Sequence, residues 1–86
     1  MDEKELKIEV EKQRGQSPYY YWFIGITDEP EHKKSKYETE GKNVKYWHNW
    51  MADTELIARS VEQWFHDKGM KGGTGGGKHS TYVYIF

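Results

Sequence analysis

The chain has no cysteine, almost no net charge and few aliphatic residues: formal charge is −1 over 86 residues, and only 35% are hydrophobic. Without cysteine there is no disulfide framework, no thiolate metal site and no thiol nucleophile. Near-neutral charge argues against a protein that coats nucleic acid by bulk electrostatics, but it leaves room for a local basic face. No apolar run approaches the length of a membrane span, and the acidic, charged start does not read as a signal peptide. The expectation is therefore a soluble, cytoplasmic protein. What compensates for the missing aliphatics is rings. Aromatic residues make up 16% of the chain, so a few large side chains must build most of the core. A chain of this length fits one domain, residues 1–86, with burial only modestly ahead of chain entropy.

The most informative stretch is Pro18 to Tyr37. Tyr19 to Ile24 runs without a charged side chain, and a strand with apolar residues on both faces belongs inside a sheet. The run ends at Gly25-Ile26-Thr27. Asp28 or Thr27 then offers a helix cap and Pro30 suits the first turn, predicting a helix from Pro30 to Tyr37 or slightly beyond. Upstream, Leu6, Ile8 and Val10 alternate with charged residues, so Met1 to Lys12 reads as an outer strand; a charged helix is the competing reading. Val44 to Met51 reads as a third strand. Asp53 caps a helix from Thr54 to Lys68, with Ile57, Ala58, Val61, Trp64 and Phe65 on its apolar face and Gly69 as its left-handed stop. Gly72 to Gly77 reads as a flexible loop, and Thr81 to Phe86 as a last strand apolar on both faces. The expected order is β-β-α-β-α-β: an α+β fold, a small, mainly antiparallel sheet of three to four strands with two helices.

Three groupings carry potential chemistry. On the long helix Glu62 sits at the rim of the apolar stripe with Glu55, Arg59 and His66 beside it. Glu62 and His66, four apart, can offer a carboxylate and an imidazole to a metal, or simply form a lattice of surface ion pairs. The first helix gathers His32, Lys33, Lys34, Lys36 and Tyr37, a basic patch beside aromatic residues that can stack on bases, or else a solvated lysine face. The tract Gly72 to Lys78 matches GxxxxGK. His79 stands where a P-loop needs Ser or Thr, and the loop runs from helix to strand, so the P-loop reading is rejected. His48 and His79 read as structural or surface histidines.

Taken together, FIGIT, the charged helix after it and the Glu62 helix resemble the GIY-YIG nuclease superfamily over roughly Tyr19 to Phe65, in a compact and degenerate form. Compact bacterial and phage members are similar in their glycine-rich loop and last strand. The resemblance implies that Gly25 is the glycine ending the second strand. It places Lys33 where the family has a phosphate-contacting arginine, Tyr37 four residues beyond, and Glu62 as the ligand of one Mg²⁺. The departures are also specific. The first strand would be KIEV with no GIY, Phe23 replaces the second motif's tyrosine, Ile26 replaces a lysine, and no asparagine follows Asn49. Lys33 keeps the arginine's charge but not its planar fork.

Three functions follow as expectations. The first is binding of nucleic acid or another phosphodiester through Lys33, Lys34 and Lys36, with an eroded catalytic site. The second is an Mg²⁺-dependent endonuclease in which Glu62 holds the metal, Tyr21 or Tyr37 activates water and Lys33 stabilises the phosphorane. The third is a protein-interaction module using the aromatics from Tyr46 to Trp50.

Overall fold

The computed structural model describes residues 1–72 and 79–86. Helix α1 spans Glu3–Arg14, and a single 3₁₀ turn covers Tyr19–Tyr21. Strand β1 (Ile24–Thr27), helix α2 (Pro30–Thr39), strand β2 (His48–Met51), helix α3 (Glu55–Lys68) and strand β3 (Tyr82–Ile85) follow. The three strands form one antiparallel sheet in the order β1-β3-β2. The α+β class and the antiparallel sheet agree with the sequence reading. The count of helices does not, because the first element is helical.

Met1 to Lys12 is therefore not an outer strand. Asp2 accepts the backbone N–H of Glu5 while the Glu5 carboxylate accepts that of Asp2, closing a capping box at the helix start. Lys7 pairs with Glu3 at 2.8 Å and Arg14 with Glu11 at 2.9 Å, the one-turn spacings that support a helix. Leu6 and Val10, four apart, are both fully buried, whereas Ile8 between them is exposed. Three apolar residues at period two thus fit a helix that uses only the first and third.

The aromatic run is the second correction. Tyr19–Tyr21 is not a strand in the sheet interior; β1 begins at Ile24 and lies at an edge, while the middle strand is β3. The turn satisfies its own backbone, with the Tyr21 and Trp22 N–H groups bonded to the carbonyls of Pro18 and Tyr19. Tyr19 docks on the helices: its hydroxyl donates to Glu11 at 2.9 Å and its ring lies 6.3 Å from that of Phe65. Tyr20 and Tyr21 face solvent, which a phenol tolerates better than an aliphatic chain.

Smaller differences have local causes. The third strand starts at His48 rather than Val44, because Val44 to Trp47 forms a turn closed by the Trp47 N–H on the Val44 carbonyl. The cap of α3 is Thr54, whose Oγ1 accepts the Ile57 N–H at 3.1 Å, rather than Asp53. Pro30 opens α2 as expected, but the capping residue is Glu29 with no side-chain bond, and Thr27 Oγ1 accepts the Glu29 N–H instead. Gly69 ends α3 in the left-handed conformation, as the sequence indicates. Trp64 is not in the core. It is 43% exposed, with Lys7 Nζ 3.9 Å and Lys68 Nζ 5.0 Å from its ring centroid. The glycine loop expected over 72–77 lies, apart from Gly72, outside the described residues.

Strand register divides the sheet into two faces. Ile24, Ile26, Val83 and Ile85 share one face with His48 and Trp50 of β2. Their aliphatic chains join Leu6 and Val10 of α1 and Ala58, Val61 and Phe65 of α3 in the hydrophobic core. Gly25, Thr27, Tyr82, Tyr84, Asn49 and Met51 share the opposite face, on which Tyr37 of α2 meets Tyr84. No helix among the described residues is long and apolar enough to cross a membrane.

Candidate functional site

The second face is a cluster of rings. Trp47 stacks on Tyr84 with centroids 4.6 Å apart and planes within 9°, and Phe86 stacks on Trp47 at 5.5 Å and on Phe23 at 5.0 Å. Tyr37, projecting from α2, touches Phe86 at 4.8 Å and Phe23 at 5.5 Å. Gly25 is needed here for space. It lies directly opposite Tyr84 across the ladder, and a Cβ at that position would overlap the phenol ring. The missing side chain lets the Tyr84 ring lie across β1.

The Tyr84 hydroxyl meets that of Tyr37 at 3.0 Å. Tyr84 is 2% exposed, and burial, followed by the Tyr37 hydrogen bond and the charge of Glu62, pushes its pKa well above the ordinary phenol value. Tyr84 therefore keeps its proton at neutral pH. One proton is used between the two oxygens, which leaves one O–H free to donate to a ligand.

Glu62 enters from α3. It is 6% exposed, and its Oε2 is buried without a hydrogen-bond partner. Burial pushes its pKa up from 4.5 to about 7, with Arg59 opposing the shift. The surface lattice suggested by spacing is only partly present. Arg59 pairs with Glu55 at 3.7 Å, and no bond joins Glu62 to His66. The Nε2 of His66 is likewise buried and unpartnered, packed against Gly72, where a Cβ would collide with the Ile24 carbonyl. Gly72 has φ 144°, so both backbone and space call for glycine.

Of the residues singled out from sequence, Lys33 and Tyr37 come together, with Lys33 Nζ 5.9 Å from the Tyr37 ring centroid. The link of Glu62 to this group is the upward push of its charge on the Tyr84 pKa, the smallest of the causes there. Lys34 lines an open polar hollow with Lys42 and Lys45, whereas Lys36 lines a separate hollow with His32 and Thr39. The basic helix therefore does not present its three lysines as one patch. Tyr21 stands exposed between two grooves it shares with Tyr46 and Phe86, and Glu62 lines neither of them. The KIEV segment, which the family resemblance assigned to a first strand, is helical. His48 stacks on Trp50 at 6.0 Å, and His79 is an exposed residue with φ 66°.

Sequence reasoning missed Tyr84, Phe86 and Trp47 as a unit. The alternation of Tyr82, Tyr84 and Phe86 was the signal that could have shown them on one face. Among the described residues no group of three or more His, Asp or Glu is arranged to hold a metal ion. The unpartnered Oε2 of Glu62 is a single oxygen, where Mg²⁺ keeps several waters and takes one or two carboxylates with substrate phosphate. No protein-family model matches the chain, and neither a curated protein nor a solved structure is found to be similar to it.

Proposed function

We propose that this domain binds nucleic acid or a related phosphodiester on its aromatic face, as a GIY-YIG-like fold whose cleavage chemistry is eroded. The observation that carries the reading is the Tyr37–Tyr84 hydroxyl pair, 3.0 Å apart, with Lys33 next to Tyr37. A phosphate oxygen placed there meets one free phenol O–H and one ammonium, both of which favour an anion. The same burial that keeps Tyr84 protonated makes it a donor and a poor base. Phe23, where the family resemblance puts a tyrosine, has no hydroxyl to add. Binding without efficient cleavage follows from that set of groups.

A second reading, residual Mg²⁺-dependent cleavage, is favoured by Glu62. A carboxyl whose pKa lies near 7 is poised for proton transfer at neutral pH, and its unpartnered oxygen can instead hold a metal. When bound, Mg²⁺ would neutralise charge on the phosphate; Glu62 would hold it, and Lys33 would pair with the phosphate oxygens. A third reading, a protein-interaction surface, draws on exposed Tyr46, Met51 and Leu56. Trp47 and Trp50 do not belong to such a surface, because both are half-buried in ring contacts.

Lys33→Gln is expected to weaken oligonucleotide binding and lower its salt dependence, read by fluorescence anisotropy across an ionic-strength series. Binding by the variant equal to wild type at every salt concentration would remove Lys33 from the site. Plasmid nicking with Mg²⁺ should be slow in the wild type and absent in Glu62→Gln; equal nicking by both withdraws the metal role.

A further inference from the structure

Beside the buried ring cluster, two grooves meet at the surface. One, of about 600 Å³, is lined by Tyr21, Trp22, Tyr46, His48 and Phe86 among others. The other, of about 400 Å³, is lined by Phe23, Lys42, Asn43 and Lys71 together with the same Tyr21, Tyr46 and Phe86. Tyr21 and Tyr46 are 65% and 59% exposed, although large rings are costly to leave in water. Among the described residues no carboxylate side chain lines either groove, while Lys42 and Lys71 border one of them. Lys45 adds a third cation, 5.5 Å from the Tyr46 ring centroid.

We infer that these paired grooves take two successive nucleotides of single-stranded nucleic acid, with bases stacked on Tyr21 and Tyr46 against a wall formed by Phe86. The inference rests on the nucleic-acid reading above and specifies the form of the ligand. Flat, exposed rings offer a stacking surface that any base can use. The shared position of Tyr21 and Tyr46 gives two neighbouring compartments, as adjacent bases on one strand need. Lys42 and Lys71 place positive charge where the linking phosphate would run. A duplex cannot use this surface, because its base faces are already stacked inside the helix.

The test is fluorescence anisotropy at low salt with a labelled oligothymidine and a labelled duplex of equal length. Wild type, Tyr46→Ala, Tyr46→Phe, Tyr21→Ala and Lys33→Gln would be compared. Tyr21 and Tyr46 are exposed, so their variants should fold, and circular dichroism checks this. The expected result is preference for the single strand, at least fivefold weaker binding by each alanine variant, and recovery in Tyr46→Phe, since stacking needs the ring and not the hydroxyl. If the alanine variants bind as wild type does while Lys33→Gln weakens binding, the groove inference falls and the phosphodiester reading survives. Preference for the duplex also overturns the groove. No binding of either probe overturns both and leaves the protein-interaction reading.

Discussion

One face of the sheet is aliphatic and sealed; the other is aromatic, polar at its centre and open at its rim. The first is closed by α1 and α3, and Leu6, Val10, Ile24, Val61, Phe65, Val83 and Ile85 there have no exposed surface. Among the described residues the second has only α2 beside it, a helix with no buried residue, and its rings are half-buried apart from Tyr84. Aliphatic chains have nothing to offer water and gain most from complete burial. Phenols and indoles have a polar tip, so they can build a second, incomplete core that still presents donors. The sealed face holds the fold together. The open face is where the proposed ligand would be met.

The largest expected effect tests the sealed face. Phe65→Ala removes a fully buried ring and should cost on the order of 3–5 kcal/mol, read as a fall in the denaturant midpoint. A loss below about 1 kcal/mol would mean that the aliphatic face is not what stabilises the fold.

Glu62 tests the seam between the faces, since it is carried by α3 yet its charge is felt at Tyr84. Between about pH 4.5 and 7 the carboxyl is ionised in the unfolded chain but protonated in the fold. The folded state then binds the extra proton, so its stabilising effect is complete below about pH 4.5 and is lost as pH rises through about 7. The size is on the order of 3 kcal/mol. Glu62→Gln should remove this dependence, leaving the variant relatively more stable than wild type at pH 8 than at pH 4. Stability curves that run parallel between those limits would mean that Glu62 is solvated.

The smallest effect concerns a ring that sequence periodicity assigns to the core. Trp64→Ala should cost only about 1 kcal/mol, the scale of cation–π contacts at an exposed site, here with Lys7 and Lys68. A cost matching that of Phe65→Ala would put Trp64 back among the core residues.

Much of α3 was legible because a 3.6-residue apolar period and Gly69 in the left-handed region agree, even though the cap is Thr54 and not Asp53. At α1 they conflict. Leu6, Ile8 and Val10 fit period two, and the capping box of Asp2 and Glu5 points the other way. The rule that a strand apolar on both faces lies mid-sheet was sound. It describes β3 and not the stretch from Tyr19, because aromatic residues can satisfy it while standing in water.

By itself the sequence determined the α+β class, helices α2 and α3 and the strand at Tyr82–Ile85, since each follows from local spacing and from Pro30 and Gly69 at helix ends. Tertiary structure alone decided which strand is central, which of Trp64 and Phe65 is buried, and that Tyr37 meets Tyr84. Those outcomes depend on contacts between residues far apart in the chain, 47 positions in the case of the two tyrosines. A local pattern states which faces are apolar, but only packing determines which apolar face finds a partner.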